Sequence, residues 1–519
     1  MIAKHTVDPV AFWARATPDR PALRMHGETW TYARLEQAVS RAAASFLERG
    51  LVSGEHVSIE FDAGESLHFA ASLHALHRAE LLPVLIGARL TEPERVSLRA
   101  RASVDYTLTA VPDDEPATKG RRPRGRRVAR ASAGARGGGG SSGGIPQFER
   151  RLDTPAAICF TSGTEGTPRA VALTHENFLW SALASARNLG VSAGDLWLAC
   201  LPLHHVGGLS ILTRSAYYGT AALIHERFDP VAVNEAIDRE HVTFVSLVPP
   251  MLERILDARR TKPYPASLRA ALIGGGPMPA GLLERAASLG LRALPTYGLT
   301  ETASQVTTLS PREWPAGLET AGRPLPFVRV EVRSPDGRAL GAREEGEIFV
   351  RGPMVSRGYF GEATRAEGAP PETGSQPQEA AREAARPWLR TGDFGTWDEA
   401  GRLVVLDRRA DRVAVGGENV SPAEVERVLA THPAIAEVCV VGIPAGAWGH
   451  EVAAAVALRP GASVSLDALR EHASRKLASF KLPRRLHVAA ALPRNASGKV
   501  LRGEVRSWFP GEVAQENRA

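Results

Sequence analysis

Thr161-Ser162-Gly163-Thr164-Glu165-Gly166-Thr167-Pro168-Arg169-Ala170 lies between two short apolar runs, Ala156–Phe160 and Val171–Leu173. Runs of that length bounded by glycine and proline read as buried strands, so the stretch is a loop joining two strands. Thr174 then caps a predicted helix carrying Phe178, Leu179 and Leu183. The glycines free the backbone to turn its N–H groups toward an anion, and Ser162, Thr164 and Thr167 add hydroxyl donors, a chemistry suited to a polyphosphate. A Walker loop places two glycines five apart and opens a helix directly on Lys-Ser/Thr; here Gly163 and Gly166 stand three apart and a strand follows. An ordinary polar hairpin is the competing reading of the loop taken alone.

Working outward, strands and helices alternate. A helix is expected over 35–47, closed by Gly50, a strand over 56–61, a helix over 66–76, a strand over 81–86 and a helix over 91–100. That rhythm predicts an α/β fold with a mostly parallel sheet covered on both faces. Ligands of such sheets bind beyond the carboxyl ends of the strands. Three further loops follow predicted strands and are expected to converge there: Pro202–Gly208 with His204 and His205, Gly274–Pro277, and Thr296–Thr302. Each has a plain alternative as a turn or helix cap.

Composition narrows the function. A chain of 519 residues, 44% hydrophobic, divides into at least two domains. Its three cysteines, Cys159, Cys200 and Cys439, stand in apolar surroundings and make neither a disulfide framework nor a zinc site, which fits a reducing, cytoplasmic setting. No apolar run is long enough to span a bilayer. The formal charge of +6 is concentrated in Lys119–Arg136, which holds eight basic residues and no acidic one, so the remainder is mildly acidic. This tract runs into Gly137–Gly144 and no aromatic residue interleaves with it, so residues 119–150 are expected to be a disordered linker rather than a nucleic-acid site. A second insertion is expected over 361–387.

Four stretches occur in a telling order: Thr161–Ala170, Tyr297–Glu301, Thr391–Asp393, and Pro493-Arg494-Asn495-Ala496-Ser497-Gly498-Lys499. Together they resemble the adenylate-forming superfamily of acyl-CoA synthetases, luciferases and peptide-synthetase adenylation domains, over nearly the whole chain outside the two insertions. The resemblance implies a large N-terminal α/β domain with parallel-rich sheets over 1–409 and a small mobile C-terminal α+β domain over 410–519. It also implies two half-reactions. A carboxylate attacks the α-phosphorus of ATP, releasing pyrophosphate, and a thiol, usually that of CoA, then displaces AMP.

The same resemblance assigns residues. The loop Thr161, Ser162, Gly163, Thr164, Gly166, Thr167 and Arg169 would wrap the outer phosphates; Glu165 and Arg169 depart from the usual hydroxyl residue and lysine. Thr300 would contact the α-phosphate and Glu301 would hold Mg²⁺. Tyr297 would stack on adenine, with Gly275, Gly276 and Gly298 beside it, and Asp393 and Arg408 would hold the ribose. Lys499 would bridge the carboxylate and α-phosphate, whereas Gly417 and Glu418 would enter the site in a second pose about a hinge near Ala410.

More narrowly, His205–Ser215 and Thr300–Pro311 look like the o-succinylbenzoate–CoA ligases of menaquinone biosynthesis, although His204 replaces the usual phenylalanine. The implied acid is a dicarboxylate. His205, counted also among the catalytic residues with Lys499, Thr300 and Glu301, would line its pocket with Gly298, Ser304 and Gln305, and Arg214, where those ligases carry a basic residue, would pair with the carboxylate that does not react. The expected partners are small molecules, with no dedicated nucleic-acid or membrane partner; homo-oligomerisation is left open.

Overall fold

The computed structural model describes residues 5–60, 66–88, 90–109, 149–161, 168–276, 278–279, 281–361, 386–408, 413–415, 418–420, 422–445, 450–477, 479–494 and 500–509. The basic tract Lys119–Arg136, nearly all of the 361–387 stretch, Ala410 and the 409/410 boundary lie outside these residues; of the expected disordered linker 119–150, Glu149 and Arg150 are described and belong instead to a strand paired with His5–Val7, because Arg150 is buried against Asp8.

Three sheets build the larger part of the molecule among the described residues. The first orders its strands Arg323–Pro324, Ser304–Thr308, Ala293–Leu299, Ala270–Ile273, Phe244–Leu247, Leu196–Ala199, Ala221–Ile224, Pro21–Met25 and Glu28–Thr31. Its interior pairs are parallel and its two ends antiparallel. Strands such as Ala221-Ala222-Leu223-Ile224 are buried at every position, because helices cover both faces. The second sheet is parallel through Tyr106–Leu108, His56–Ile59, Leu82–Leu85 and Pro155–Thr161. It ends on an antiparallel hairpin to Arg169–Thr174. Thr174 caps the helix His175–Leu189 by accepting from the Asn177 N–H at 3.2 Å.

The alternating rhythm did not reveal the third sheet, an antiparallel one of Arg329–Arg333, Gly346–Arg351, Leu389–Trp397 and Leu403–Arg408. Its strands carry charged residues on one face and pair in antiparallel register, so no connecting helices announce them. The C-terminal part packs the helices Pro422–Leu429 and Leu466–Ser474 on the strands Ile435–Pro444, His450–Leu458 and Arg485–Ala489. The second helix is followed by the short 3-10 turn Ser479–Lys481, and Leu482 just after it is buried in the same core.

A buried ionic cluster ties the N-terminal helix Pro9–Ala16 to the helices Tyr32–Glu48 and Ser66–Arg78 and to the short strand Glu149–Arg151. Asp8 caps that helix through the Val10 and Ala11 N–H groups, at 3.0 and 3.2 Å. It also meets Arg78 at 3.1 Å and Arg150 at 2.5 Å, and Arg78 reaches Glu36 at 2.6 Å. The rings of His74, His77 and His175 pack against one another beside it. Burial alone would raise the Asp8 carboxyl, but Arg150 and Arg78 outweigh it and hold it well below the usual range.

Candidate active site

The hairpin places Thr161 opposite Arg169 in register. Its turn, with Ser162, Gly163, Thr164, Glu165, Gly166 and Thr167, lies outside the described residues. The Arg169 guanidinium lies over the Tyr359 ring, 3.3 Å from its centroid. The Tyr359 hydroxyl in turn donates to Glu301 Oε1 at 2.7 Å. Two backbone bonds fix this arrangement, Phe360 N–H to the Ala170 carbonyl and Ser356 N–H to the Glu301 carbonyl, each 2.7 Å. Strand, turn and connecting segment thus bring Arg169 and Glu301 to the two sides of one tyrosine.

Thr300 and Glu301 open a short 3-10 turn, Thr300–Thr302, at the carboxyl end of Ala293–Leu299. That strand also carries Tyr297, whose hydroxyl donates to Asp393 Oδ2 at 2.7 Å. Both are nearly buried, and the Tyr297 ring belongs to a core cluster with Val306 and Ile348. Asp393 pairs across the antiparallel sheet with Arg408. Gly298 sits at a bulge where an added Cβ would collide with the Ser304 carbonyl, so only glycine lets the two strands approach there. Gly275 and Gly276 follow the neighbouring parallel strand Ala270–Ile273, at the same sheet edge.

On the other side of the turn the chain is strained. Ala303 and Ser304 adopt φ of +49° and +98°, conformations that cost about 1–3 kcal/mol each in a non-glycine residue. Ser181, on the helix His175–Leu189, donates to the Ala303 carbonyl at 2.8 Å and accepts from Arg214 Nη2 at 3.0 Å. The Ser304 hydroxyl stands 3.5 Å from that of Ser210, which occupies the same face of the helix Val206–Tyr218 as Arg214, one turn away.

Arg214 is buried, its Nε has no hydrogen-bond partner, and no carboxylate of the described residues pairs with it. Burial accordingly pulls the guanidinium below its usual range. Trp197, 5.8 Å away, provides a ring face but no counter-charge. Gln305 turns back into the sheet, donating to Thr308 Oγ1 at 2.8 Å, and its Oε1 is buried without a partner. His205 caps the N-terminus of Val206–Tyr218 by its backbone, and its ring lies 4.3 Å from that of His204. Its ring keeps an exposed edge, yet the protein packed around it is enough to lower its pKa by desolvation. His204, in place of the phenylalanine, lies against Gly87, where a Cβ would stand 2.7 Å from its Nε2.

The residues around the Leu299–Gln305 turn therefore form two sides. One carries a carboxylate, a guanidinium and an acceptor pair suited to a nucleotide; the other leads to a buried cation that no carboxylate of the described residues pairs with. Lys499 and Gly417 lie outside the described residues, and Glu418 opens the strand Glu418–Val420. Among the described residues no group of three or more His, Cys, Asp or Glu side chains could hold a metal by itself. The oxygens of Thr300 and Glu301 nevertheless suit Mg²⁺, which binds through one or two carboxylates and otherwise through substrate phosphates and water. No described helix is long and apolar enough to cross a membrane. Sequence reasoning missed Tyr359 and Ser181: Tyr359 lies in the connection after the strand Gly346–Arg351 and Ser181 within the helix His175–Leu189, and each earns its place by contacts across more than fifty residues.

A hairpin and a strand-end turn arranged in this way define a nucleotide-dependent acid-activating fold, and the chain belongs to the AMP-binding enzyme family. The family's main model matches residues 10–360, and the AMP-binding enzyme C-terminal domain matches 424–499. The chain is 36% identical over 491 residues to the 2-succinylbenzoate–CoA ligase of Bacillus cereus (strain Q1), spanning 94% of this chain and 96% of that one. The o-succinylbenzoate CoA synthetase of Bacillus subtilis in complex with its acyl-adenylate intermediate superposes with a TM-score of 0.83 and 32% identity, over 98% of this chain and 100% of that one. The same synthetase in complex with ATP and magnesium ion gives a TM-score of 0.81 and 32% identity, over 96% and 99%.

Proposed function

We propose that this chain is an AMP-forming acid–CoA ligase that converts o-succinylbenzoate, ATP and CoA to o-succinylbenzoyl-CoA, AMP and pyrophosphate, the step that serves menaquinone biosynthesis. The observation that carries the choice of acid is Arg214: a fully buried guanidinium with no carboxylate partner among the described residues. A buried charge without a partner costs several kcal/mol, about 3–5 where a pair has been broken. A substrate whose second carboxylate docks there supplies the missing counter-charge, and one of o-succinylbenzoate's two carboxylates is free to do so.

On this reading Asp393, oriented by the Tyr297 hydroxyl, accepts the ribose hydroxyls, an acceptor-only role for a carboxylate. Arg169 and the loop before it hold the outer phosphates, Thr300 donates to the α-phosphate, and Glu301 holds Mg²⁺. The metal, when bound, neutralises phosphate charge. Lys499 neutralises the reacting carboxylate and α-phosphate in the first half-reaction only. His205 and Ser304 line the acid pocket, and Gly417 and Glu418 belong to the second pose, in which the C-terminal domain turns to admit CoA. Catalysis rests on positioning and charge neutralisation, with no covalent enzyme intermediate.

The purified chain, given ATP, Mg²⁺ and CoA, is expected to form the thioester of o-succinylbenzoate and to use a monoacid analogue lacking the second carboxylate poorly. Equal or better turnover of other aromatic or medium-chain monoacids would reassign the substrate while leaving the ligase chemistry in place.

A further inference from the structure

We infer that Tyr359 is a positioning residue of the nucleotide site, a single side chain that sets the metal-side carboxylate and the phosphate-loop cation relative to each other. The inference rests on the reading of Glu301 and Arg169 given above and adds a residue that the reading does not contain.

The geometry is specific. The Tyr359 hydroxyl donates to Glu301 Oε1 at 2.7 Å, which fixes the carboxylate's rotamer and occupies one of its two oxygens. The flat face of the same ring carries the Arg169 guanidinium at 3.3 Å. Tyr359 itself is pinned by its backbone: it bridges Val171 in antiparallel fashion, and Phe360 N–H donates to the Ala170 carbonyl at 2.7 Å. Three residues earlier, Ser356 N–H donates to the Glu301 carbonyl, also at 2.7 Å. The segment Ser356–Phe360 therefore bonds to the strand bearing Arg169 at one end and to the turn bearing Glu301 at the other.

Those two charged groups come from elements more than 130 residues apart. Both have long side chains, which lose considerable rotamer freedom when ordered. Ordering them before ATP arrives lowers the cost of binding the metal–nucleotide complex. A carboxylate held through one oxygen keeps the other directed, and a guanidinium stacked on a ring keeps its N–H edges available in the ring plane for phosphate oxygens. The hydroxyl and the ring thus have separable tasks, the first serving the metal side and the second the phosphate side.

Two variants of the full chain separate them. Tyr359→Phe keeps the ring and removes the hydroxyl. ATP binding followed by calorimetry across a Mg²⁺ titration should then require roughly tenfold more Mg²⁺ for half-maximal enhancement, the size of one hydrogen bond to a charged group. Binding of ATP without Mg²⁺ should stay unchanged. Tyr359→Leu also removes the ring, and metal-free ATP binding should weaken as well, by about three- to tenfold. Thioester formation from pre-made acyl-adenylate should survive in both, which a general folding defect would not allow. Glu301→Gln serves as the control: it should abolish the Mg²⁺ enhancement in wild-type and Tyr359→Phe backgrounds alike. If Glu301→Gln acts so but Tyr359→Phe titrates with Mg²⁺ as wild type does, the positioning role is overturned and the reading of Glu301 stands. If Glu301→Gln leaves the Mg²⁺ dependence intact, the reading of Glu301 falls, and the inference with it.

Discussion

Two buried arginine environments in this molecule differ in one respect. Around Asp8, the guanidinium groups of Arg78 and Arg150 are buried, and each meets the same carboxylate, with Glu36 completing the Arg78 side. Around Arg214 an equally buried guanidinium has a serine hydroxyl, an aromatic face and an unpartnered Nε, but no carboxylate among the described residues. Desolvation acts on both. Among the described residues only the first cluster supplies its own compensation, so it behaves as a staple of the fold, whereas on the function proposed above the second awaits a carboxylate of the substrate. Burial of a charge thus does not by itself mark a site; burial without a counter-charge does.

The largest effect is expected where the compensated cluster is broken. Asp8→Ala strands the buried Arg150, leaves Arg78 with Glu36 alone and removes a helix cap, and should cost about 3–5 kcal/mol of stability in denaturant unfolding. The turnover of molecules that remain folded should change little. A fall in turnover without a fall in stability would mean that the cluster belongs to catalysis.

Arg214→Ala should do the opposite. Loss of the pair with the second carboxylate should lower kcat/KM for o-succinylbenzoate by roughly two to three decades. ATP affinity and the already poor use of a monoacid analogue should change little. Arg214→Met, which removes an uncompensated cation while keeping an apolar stem, should leave stability unchanged or raise it by about 1 kcal/mol. If either variant unfolds the protein, or harms both acids equally, the contrast between the two environments fails and Arg214 is structural.

Acid sharpens the comparison further. Burial, reinforced by Arg150, pushes His74 and His175 down to about 3 from the ordinary 6.5. His77 is lowered in the same direction, by burial and then by His175. These imidazoles are neutral in the folded protein but take up protons in the unfolded chain below about pH 6.5. Stability should be complete above that value and fall as the pH drops toward 3, by up to about 1.4 kcal/mol per pH unit for each histidine. Asp8, held low, adds its own loss only below the ordinary carboxylate range. Unfolding midpoints at pH 7.5 and 5 should therefore differ, and His74→Asn should reduce the difference.

The smallest effect belongs to Ser181. It links Arg214 to the Ala303 carbonyl in the strained turn behind Glu301. Ser181→Ala should reduce kcat/KM for the dicarboxylate about five- to tenfold, the scale of one hydrogen bond to a charged group. The monoacid analogue should hardly respond.

Local chemistry made much of this protein legible in advance. Alternating strands and helices announced the parallel sheets, Thr174 announced its helix, and the two apolar runs flanking Thr161–Arg169 announced the hairpin strands, because each depends on neighbours a few residues away. The type of residue at Glu301, Asp393 and Arg214 likewise limited what each could bind. The antiparallel sheet of Arg329–Arg408 stayed hidden, since long-range register rather than periodicity creates it. So did the staple on Asp8, the Tyr359 contact between Arg169 and Glu301, and the absence of a described carboxylate beside Arg214. A sequence lists charges but not which of them are desolvated together, and only the packed tertiary structure decides whether a buried charge already has its partner.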